Sequence, residues 1–265
     1  MKRQTLAEKH IVITGASGGI GEQIAYEAAS RGAVPILVAR SEDKLGAVAY
    51  HIRHTYDVNC STYTLDVSNL KEVEKVFQQI FRDVGYIDVL INNAGFGIFE
   101  DVAEAKMENM EAMFRVNVLG LIACTKMVLP HLLERNTGHI VNIASQAGKL
   151  ATPKSSGYSA TKHAVLGFTN SLRMELSKTN IFVTAVNPGP IKTNFFTIAD
   201  TSGSYMKNVE KLMLDPKDVA KKVINVLFTN KRELNLPGWM NLGSTLYLLA
   251  PRLVEKLAGD MFHQK

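Results

Sequence analysis

The chain has 265 residues, 46% of them hydrophobic and 21% charged, the make-up of a globular protein with a sizeable core. Its net charge of +5 is scattered through mixed-sign stretches such as RSEDK and LKEVEK, with no basic run, which argues against a nucleic-acid partner. The opening MKRQTLAEKH is charged and no apolar run of about 18 residues occurs, so neither a secretory leader nor a spanning helix is expected, and a cytoplasmic location follows as the expectation.

In chain order, HIVITG (10–15) is a short β-branched run ending in glycine, and TGASGGIG (14–21) leads from it into a helix reaching about Arg31. Gly15 permits a sharp turn, Gly19 lets the backbone approach a pyrophosphate, and Gly21 allows the helix to pack tightly on the strand; Ser17 and Ile20 share this loop. Free N–H groups at the helix start attract phosphate. AVPILVAR (33–40) is a second buried strand. At its end a carboxylate would bind the ribose 2′-hydroxyl of NAD; Ala39, Arg40 and Ser41 stand there instead. Nothing repels a 2′-phosphate and a guanidinium can pair with it, so the cofactor is read as NADP(H). The plainer alternative makes Arg40 a solvated charge beside the Ser41 helix cap.

STYTLDV (61–67) is a third strand, where Asp66, with Val67 beside it, is placed to reach an adenine edge or to cap the next turn. Ser68 is read as the cap of the amphipathic helix SNLKEVEKVFQQIFRDV. IDVLINNAG (87–95), GHIVNIAS (138–145) and IFVTAVNPG (181–189) are further strands, separated by helices at about 104–135 and 156–178. DPKDVAKKVINVLFTN is a helix with proline in its first turn, and ELNLPG a last short strand. Apolar strands alternating with helices, without an internal linker, imply a single α/β domain over 1–265 with a doubly wound parallel sheet. Cys60 and Cys124 lack ligand-spaced neighbours and read as reduced, buried thiols; no metal is expected.

YSATK places Tyr158 and Lys162 four apart, hence on one helix face. A cation that close stabilises a phenolate and makes tyrosine a usable acid near neutral pH, although a lone pair of this kind is also common on exposed helices. In order along the chain stand the Thr14–Gly21 loop, NNAG (92–95), Asn117 in FRVNVLG, Ser145 at a strand end, Tyr158 with Lys162, and PGPIKT (188–193). Together they resemble the short-chain dehydrogenase/reductase family, in its NADP(H)-preferring bacterial type, over roughly residues 6–236.

The resemblance implies a doubly wound Rossmann fold, an about seven-stranded, mostly parallel sheet with helices on both faces. It implies hydride transfer between NADPH and a ketone or aldehyde, with Tyr158 as general acid, Lys162 on the nicotinamide ribose, Ser145 on the substrate oxygen and Asn117 holding a water. It also places Asn93, Ala94 and Gly95 near the adenosine ribose and Pro188, Gly189, Ile191 and Thr193 around the nicotinamide. Homodimers or homotetramers paired through the helices at 104–135 and 156–178 are common in the family.

The sequence departs from the family at Gln146, a candidate for substrate hydrogen bonding that reads equally as a solvated loop residue. The substrate segment at 190–214 carries Phe195, Phe196, Tyr205, Met206 and Met213, and Trp239 and Met240 are further pocket candidates; an apolar small molecule suits them, but they could also be edge packing. The tail at 237–265, broken by Pro251, could cover the pocket, meet a partner subunit or touch a membrane, with docking on its own body or its twin preferred. Two rivals remain: a Rossmann NADP(H) sensor without turnover, and a membrane-surface reductase of lipid-derived ketones.

Overall fold

The computed structural model describes residues 5–150, 152–200 and 209–262, the side chains of 257–262 excepted. Seven strands form one sheet: β1 His10–Thr14, β2 Val34–Ala39, β3 Ser61–Thr64, β4 Val89–Asn92, β5 Gly138–Ile143, β6 Ile181–Pro188 and β7 Glu233–Leu236. Their order is β3-β2-β1-β4-β5-β6-β7. Every pairing is parallel, a regularity greater than the mostly parallel sheet expected. The chain winds outward from β1 to β3, then returns to the other side of β1 with β4. That reversal leaves a crevice beyond the strand ends between β1 and β4, where doubly wound sheets bind ligands.

Period-two alternation assigns the sheet's two faces. Ile11 and Ile13 of β1 join a cluster with Ile24, Leu37 and Val223, while Val12 joins Ile36, Phe77, Val128 and Leu172 on the other side. The first cluster is covered by α1 Gly19–Ala29, α2 Glu42–Tyr56 and α8 Pro216–Asn225. The second is covered by α3 Leu70–Val84, α5 Leu121–Arg135 and α6 Ser156–Glu175. α4 Met107–Phe114 runs into α5 through a π-helical turn, Arg115–Gly120. This continuous helix, Met107–Arg135, is long and apolar enough to cross a bilayer, contrary to the expectation from apolar runs, yet Cys124, Val128 and Leu132 pack it onto the sheet.

Local chemistry corrects two caps. The α3 cap is Asn69, whose side chain accepts from the Glu72 N–H, and not Ser68. Ser41 does occupy the cap position of α2, but its hydroxyl makes no capping bond. Asp215 caps α8 by accepting from the Lys217 N–H, with Pro216 in the first turn as expected. Beyond β6 lie a short helix, α7 Phe195–Ala199, and a 3₁₀ turn, Glu210–Leu212; after β7 come α9 Met240–Leu249 and α10 Pro251–Phe262.

A buried amide ladder fixes the helices over the strand ends. Asn92 and Asn142 face each other in the β4–β5 register. The Asn92 amide donates to Asn142 Oδ1 and to Thr125 Oγ1 of α5, each at 2.9 Å. The Asn142 amide donates to Thr169 Oγ1 of α6, also at 2.9 Å. These bonds are shielded from water, so losing one partner would strand a buried polar group, at a cost of about 1–3 kcal/mol.

His139 on β5 is wholly buried. The Phe228 N–H donates to its Nδ1 at 2.9 Å, so the ring proton sits on Nε2, which lies 2.9 Å from Thr184 Oγ1. Thr184 in turn donates to the Lys231 carbonyl. Burial pushes the His139 pKa down to about 3 from 6.5. The unfolded chain therefore binds the extra proton, and stability present above pH 6.5 is lost progressively as pH falls from there toward 3. Urea unfolding at pH 5 is expected to show about 2 kcal/mol less stability through this residue than at pH 8. His139→Gln, which keeps one donor and one acceptor, should shrink that drop; an unchanged pH dependence would remove His139 as its source.

Candidate active site

The turn after β1 is built to leave its backbone bare. Thr14 Oγ1 accepts from the N–H groups of Asn93 and Ala94, each at 3.0 Å, which stitches the ends of β1 and β4 together. The Asn93 amide donates back to the carbonyls of Thr14 and Gly15, so this side chain braces the loop, although it also borders the cavity where a ribose was expected. Gly15 turns with φ of +67°, a left-handed conformation that suits glycine. Gly21 lies under the loop: a Cβ there would come within 2.3 Å of the Gly15 carbonyl oxygen. Gly18 precedes α1 without any side-chain cap, leaving first-turn N–H groups for an anion. Bare glycines and an uncapped helix start fit a dinucleotide's phosphates.

A cleft of about 540 Å³ continues from this loop past Ser17 to Arg40, Ser41, Lys44, Asp66 and Val67. Arg40 and Lys44 are both exposed and form no ion pair among the described residues. Lys44 was not singled out from sequence; its signal was the four-residue spacing from Arg40 at the start of α2. Asp66 Oδ1 accepts from the Ser68 N–H at 2.9 Å, so it caps the turn and also borders the cleft.

The neighbouring cavity, about 430 Å³, is lined by Gly15, Ser17, Gly19 and Ile20 of the loop and by Ala94 and Gly95 of β4's end. Ser145, Tyr158 and Lys162 line it, as do Pro188, Gly189, Ile191 and Thr193. Lys162 is buried, and its Nζ donates to the Ile143 carbonyl at 2.9 Å, lying 5.7 Å from the Tyr158 ring centre. Burial pushes its pKa down to about 8 from 10.5. Keeping this ammonium charged at neutral pH costs roughly 3 kcal/mol of stability, a cost that fades as pH rises from about 8 toward 10.5. A buried charge held at such a cost, bordering a cavity, makes this a candidate functional site.

Ser145 stands beyond the end of β5, where its Oγ accepts from the Ala147 N–H at 3.1 Å and makes a long contact, 3.4 Å, to the Pro188 carbonyl. It is thus both the strand-end cap and a cavity hydroxyl. Asn117 does not reach the cavity wall. Buried in the π-helical turn, its amide donates to the Phe96 carbonyl at 2.8 Å and to Thr161 Oγ1 at 3.1 Å, and its Oδ1 accepts from the Phe96 N–H. One lone pair of Oδ1 remains for the expected water. Thr193 Oγ1 accepts from the Phe195 N–H at 3.3 Å, while Asn194 holds the α7 cap position.

Phe195, Phe196, Ile198, Leu150 and Met240 complete the cavity's apolar side. Phe99, unsuspected from sequence, packs edge-on to Tyr158 with centroids 5.9 Å apart, and Phe195 lies 5.7 Å from the same ring. Gln146 is buried rather than solvated, since its amide donates to the Asn187 carbonyl at 2.8 Å; it still borders the cavity. Trp239, a pocket candidate, is instead 63% exposed and lies off the cavity wall, as does Met213. Tyr205 and Met206 lie outside the described residues. Both cysteine thiols are pushed up to about 12 by burial, consistent with inert structural roles.

The family model for short chain dehydrogenases matches residues 9–201. An uncharacterised oxidoreductase of Staphylococcus saprophyticus is 38% identical over 222 residues, covering 84% of this chain and 92% of that protein. The NADP-dependent 3-hydroxy acid dehydrogenase of Schizosaccharomyces pombe is 36% identical over 226 residues, covering 83% and 86%. Among solved structures, the alcohol dehydrogenase from the archaeon Thermococcus sibiricus, complexed with 5-hydroxy-NADP, is similar at a TM-score of 0.78 and 30% identity, covering 86% of this chain and 96% of that one.

The loop geometry separates two neighbouring glycines. Gly21→Ala is expected to lower the unfolding free energy by about 1–3 kcal/mol, the usual cost of forcing a methyl into packed backbone. Gly18→Ala, whose Cβ would meet nothing within 4 Å, should leave it within about 0.5 kcal/mol. Urea titrations of both variants check the contrast; equal losses would refute the close-approach reading.

Proposed function

The chain belongs to the short-chain dehydrogenase family, and we propose that it is an NADP(H)-dependent oxidoreductase that interconverts an apolar carbonyl compound and its alcohol, with Tyr158 as general acid. The observation that carries this reading is the buried Lys162 ammonium, bonded to the Ile143 carbonyl beside Tyr158 in the cavity that contains the bare glycine loop. Bound along the loop and the Arg40 cleft, the nicotinamide cofactor would supply the hydride.

The chain's own groups handle the proton and the charge. The Tyr158 hydroxyl donates its proton to the carbonyl oxygen in reduction, and its phenolate takes the alcohol proton in oxidation. Lys162, positive below about pH 8, stabilises that phenolate from the same helix face. Ser145 exchanges its long contact with Pro188 for a hydrogen bond to the substrate oxygen, while the Ala147 N–H keeps its Oγ in place. Asn117 braces the 96 loop, and its Oδ1 and Lys162 Nζ both approach Gly95, where a Cβ would lie 3.0 and 3.6 Å from them. A water bonded to both would resupply the proton from Lys162.

NADP(H) is favoured because Arg40 and Lys44 both border the cleft beyond β2 and no carboxylate occupies that strand end. The names of the fission-yeast relative and the archaeal structure, which mention NADP, support the same choice. The aromatic and aliphatic wall favours an uncharged, apolar substrate, and an intracellular NADPH pool favours reduction. Phe114, Leu119 and Met174 remain exposed on the two long helices, which supports pairing of copies through them.

Tyr158→Phe is expected to lower kcat by ~10²–10⁴-fold while NADPH affinity stays near wild type. Stopped-flow turnover of a ketone panel and fluorescence titration of NADPH check both halves, and parental turnover in that variant would end the proton-donor assignment. Arg40→Ala combined with Lys44→Ala should weaken NADPH by ~10–100-fold, the loss expected for charge-assisted phosphate bonds, and leave NADH affinity unchanged. Equal weakening of the two nucleotides would refute the 2′-phosphate role.

A further inference from the structure

The tail helix α9 is inside out. Its polar residues face the body: Asn241 Oδ1 accepts from Lys149 Nζ at 3.1 Å, and Ser244 is buried. Its leucines face away. Trp239, Leu242, Leu246 and Leu249 recur at spacings of three, four and three, so they form one stripe, and Leu253 extends the spacing past Pro251. These five are 63%, 68%, 49%, 76% and 58% exposed, and no described residue covers them. The polar side of the tail thus docks on its own body, as one half of the expectation has it, while the apolar side stays exposed on the single chain. A solvated helix face normally carries polar side chains. α9 carries no Asp, Glu, Lys or Arg at all.

We propose that this stripe binds the surface of an anionic lipid bilayer. An aromatic residue, Trp239, sits at the start of the stripe, as at membrane–water boundaries. The Tyr247 hydroxyl ties α9 to α10 by donating to Glu255 at 3.1 Å, and the carboxylate keeps its negative charge. Beside it, Arg252 and Lys256 are exposed without ion pairs among the described residues, and the chain as a whole carries +5. The leucine stripe, Trp239 at its start, the exposed Arg252 and Lys256 and the net positive charge of the whole chain together match a helix lying in the headgroup region of anionic lipid. Pairing with a second copy is the rival occupant, which the solution mass separates from lipid binding. Met240, the first residue of α9, lines the cavity, so the lipid-facing stripe begins beside the substrate wall. A bilayer-dissolved carbonyl compound would meet the protein at that point.

The test uses the full chain and sedimentation with vesicles of equal parts phosphatidylglycerol and phosphatidylcholine, beside vesicles of phosphatidylcholine alone. Wild-type protein should pellet with the anionic vesicles. The triple variant Leu242→Gln, Leu246→Gln, Leu249→Gln should bind them at least ~10-fold more weakly, the effect of removing three leucines from an apolar phase. Arg252→Gln with Lys256→Gln, both exposed and harmless to packing, should weaken anionic binding roughly fivefold per charge and leave phosphatidylcholine binding unchanged. Light scattering should give the same solution mass for all three proteins. Wild-type protein remaining in the supernatant overturns the proposal, as does a triple variant that pellets like wild type. A triple variant of reduced solution mass, with no vesicle affinity in wild type, assigns the stripe to a second copy instead. None of these readouts needs turnover, so failure here leaves the oxidoreductase reading standing.

Discussion

A buried ammonium has to be surrounded by oxygen, and in this protein that requirement organises the site. Lys162 finds its acceptor in the carbonyl of Ile143, the last residue of β5. That bond works only if α6 crosses the end of β5 at one height and one rotation. The Asn92–Asn142–Thr169 ladder supplies this restraint, because each amide has its partner on a different element and none can slide without stranding a polar group. The pleat of the parallel sheet and the pitch of α6 are thereby locked together, and Tyr158, one turn before Lys162, is held at the cavity.

Around that point the polar and apolar groups are segregated. Behind the cavity wall lies a polar knot. Lys149 bonds Glu233, Asn235 and Asn241, Asn187 bonds Asn235, and Gln146 bonds the Asn187 backbone. It joins the turn after β5 to β6, β7 and the tail helix. In front lie Phe99, Phe195, Phe196 and Met240. Because the polar groups behind Gln146 and Asn187 bond one another, the side of the cavity next to Ser145 and Tyr158 is chiefly hydrocarbon plus those two hydroxyls, while the glycine loop supplies the polar side. A low-polarity chamber with two hydroxyls and one buried cation strengthens every electrostatic interaction made within it.

What could be read from the linear chain was whatever depends on neighbours in sequence. Runs such as HIVIT and VLIN have unbroken apolar cores without polar alternation, so they read as strands covered on both faces, and the parallel doubly wound sheet followed. The glycine spacing of 15, 19 and 21 is a backbone requirement and needs no distant partner to be recognised. Tyr158 and Lys162 share a face because a helix repeats every 3.6 residues or so. The six family segments in order then pointed to one crevice.

Other features depend on contacts between distant segments and had no local signature. Phe99 meets Tyr158 across 59 positions of chain, a difference of 158 and 99 that no periodicity encodes. Gln146 looks like a loop residue until β6 is laid beside it, and Lys44 looks like helix surface until the Arg40 cleft opens next to it. Asn69 displaced Ser68 as a cap because the chain's entry angle, set by the Asp66 turn, decides which side chain meets the free N–H groups. The tail shows the same division: its leucine spacing was visible, but which side of α9 faces the body was decided by Lys149, 92 positions before Asn241 in chain. Composition, spacing and backbone freedom are properties of short stretches and so determine strands, turns and the identity of the chemistry. Burial, and with it the held-down pKa of Lys162 and the bare face of the tail, exists only once the sheet has brought remote segments together and excluded water between them.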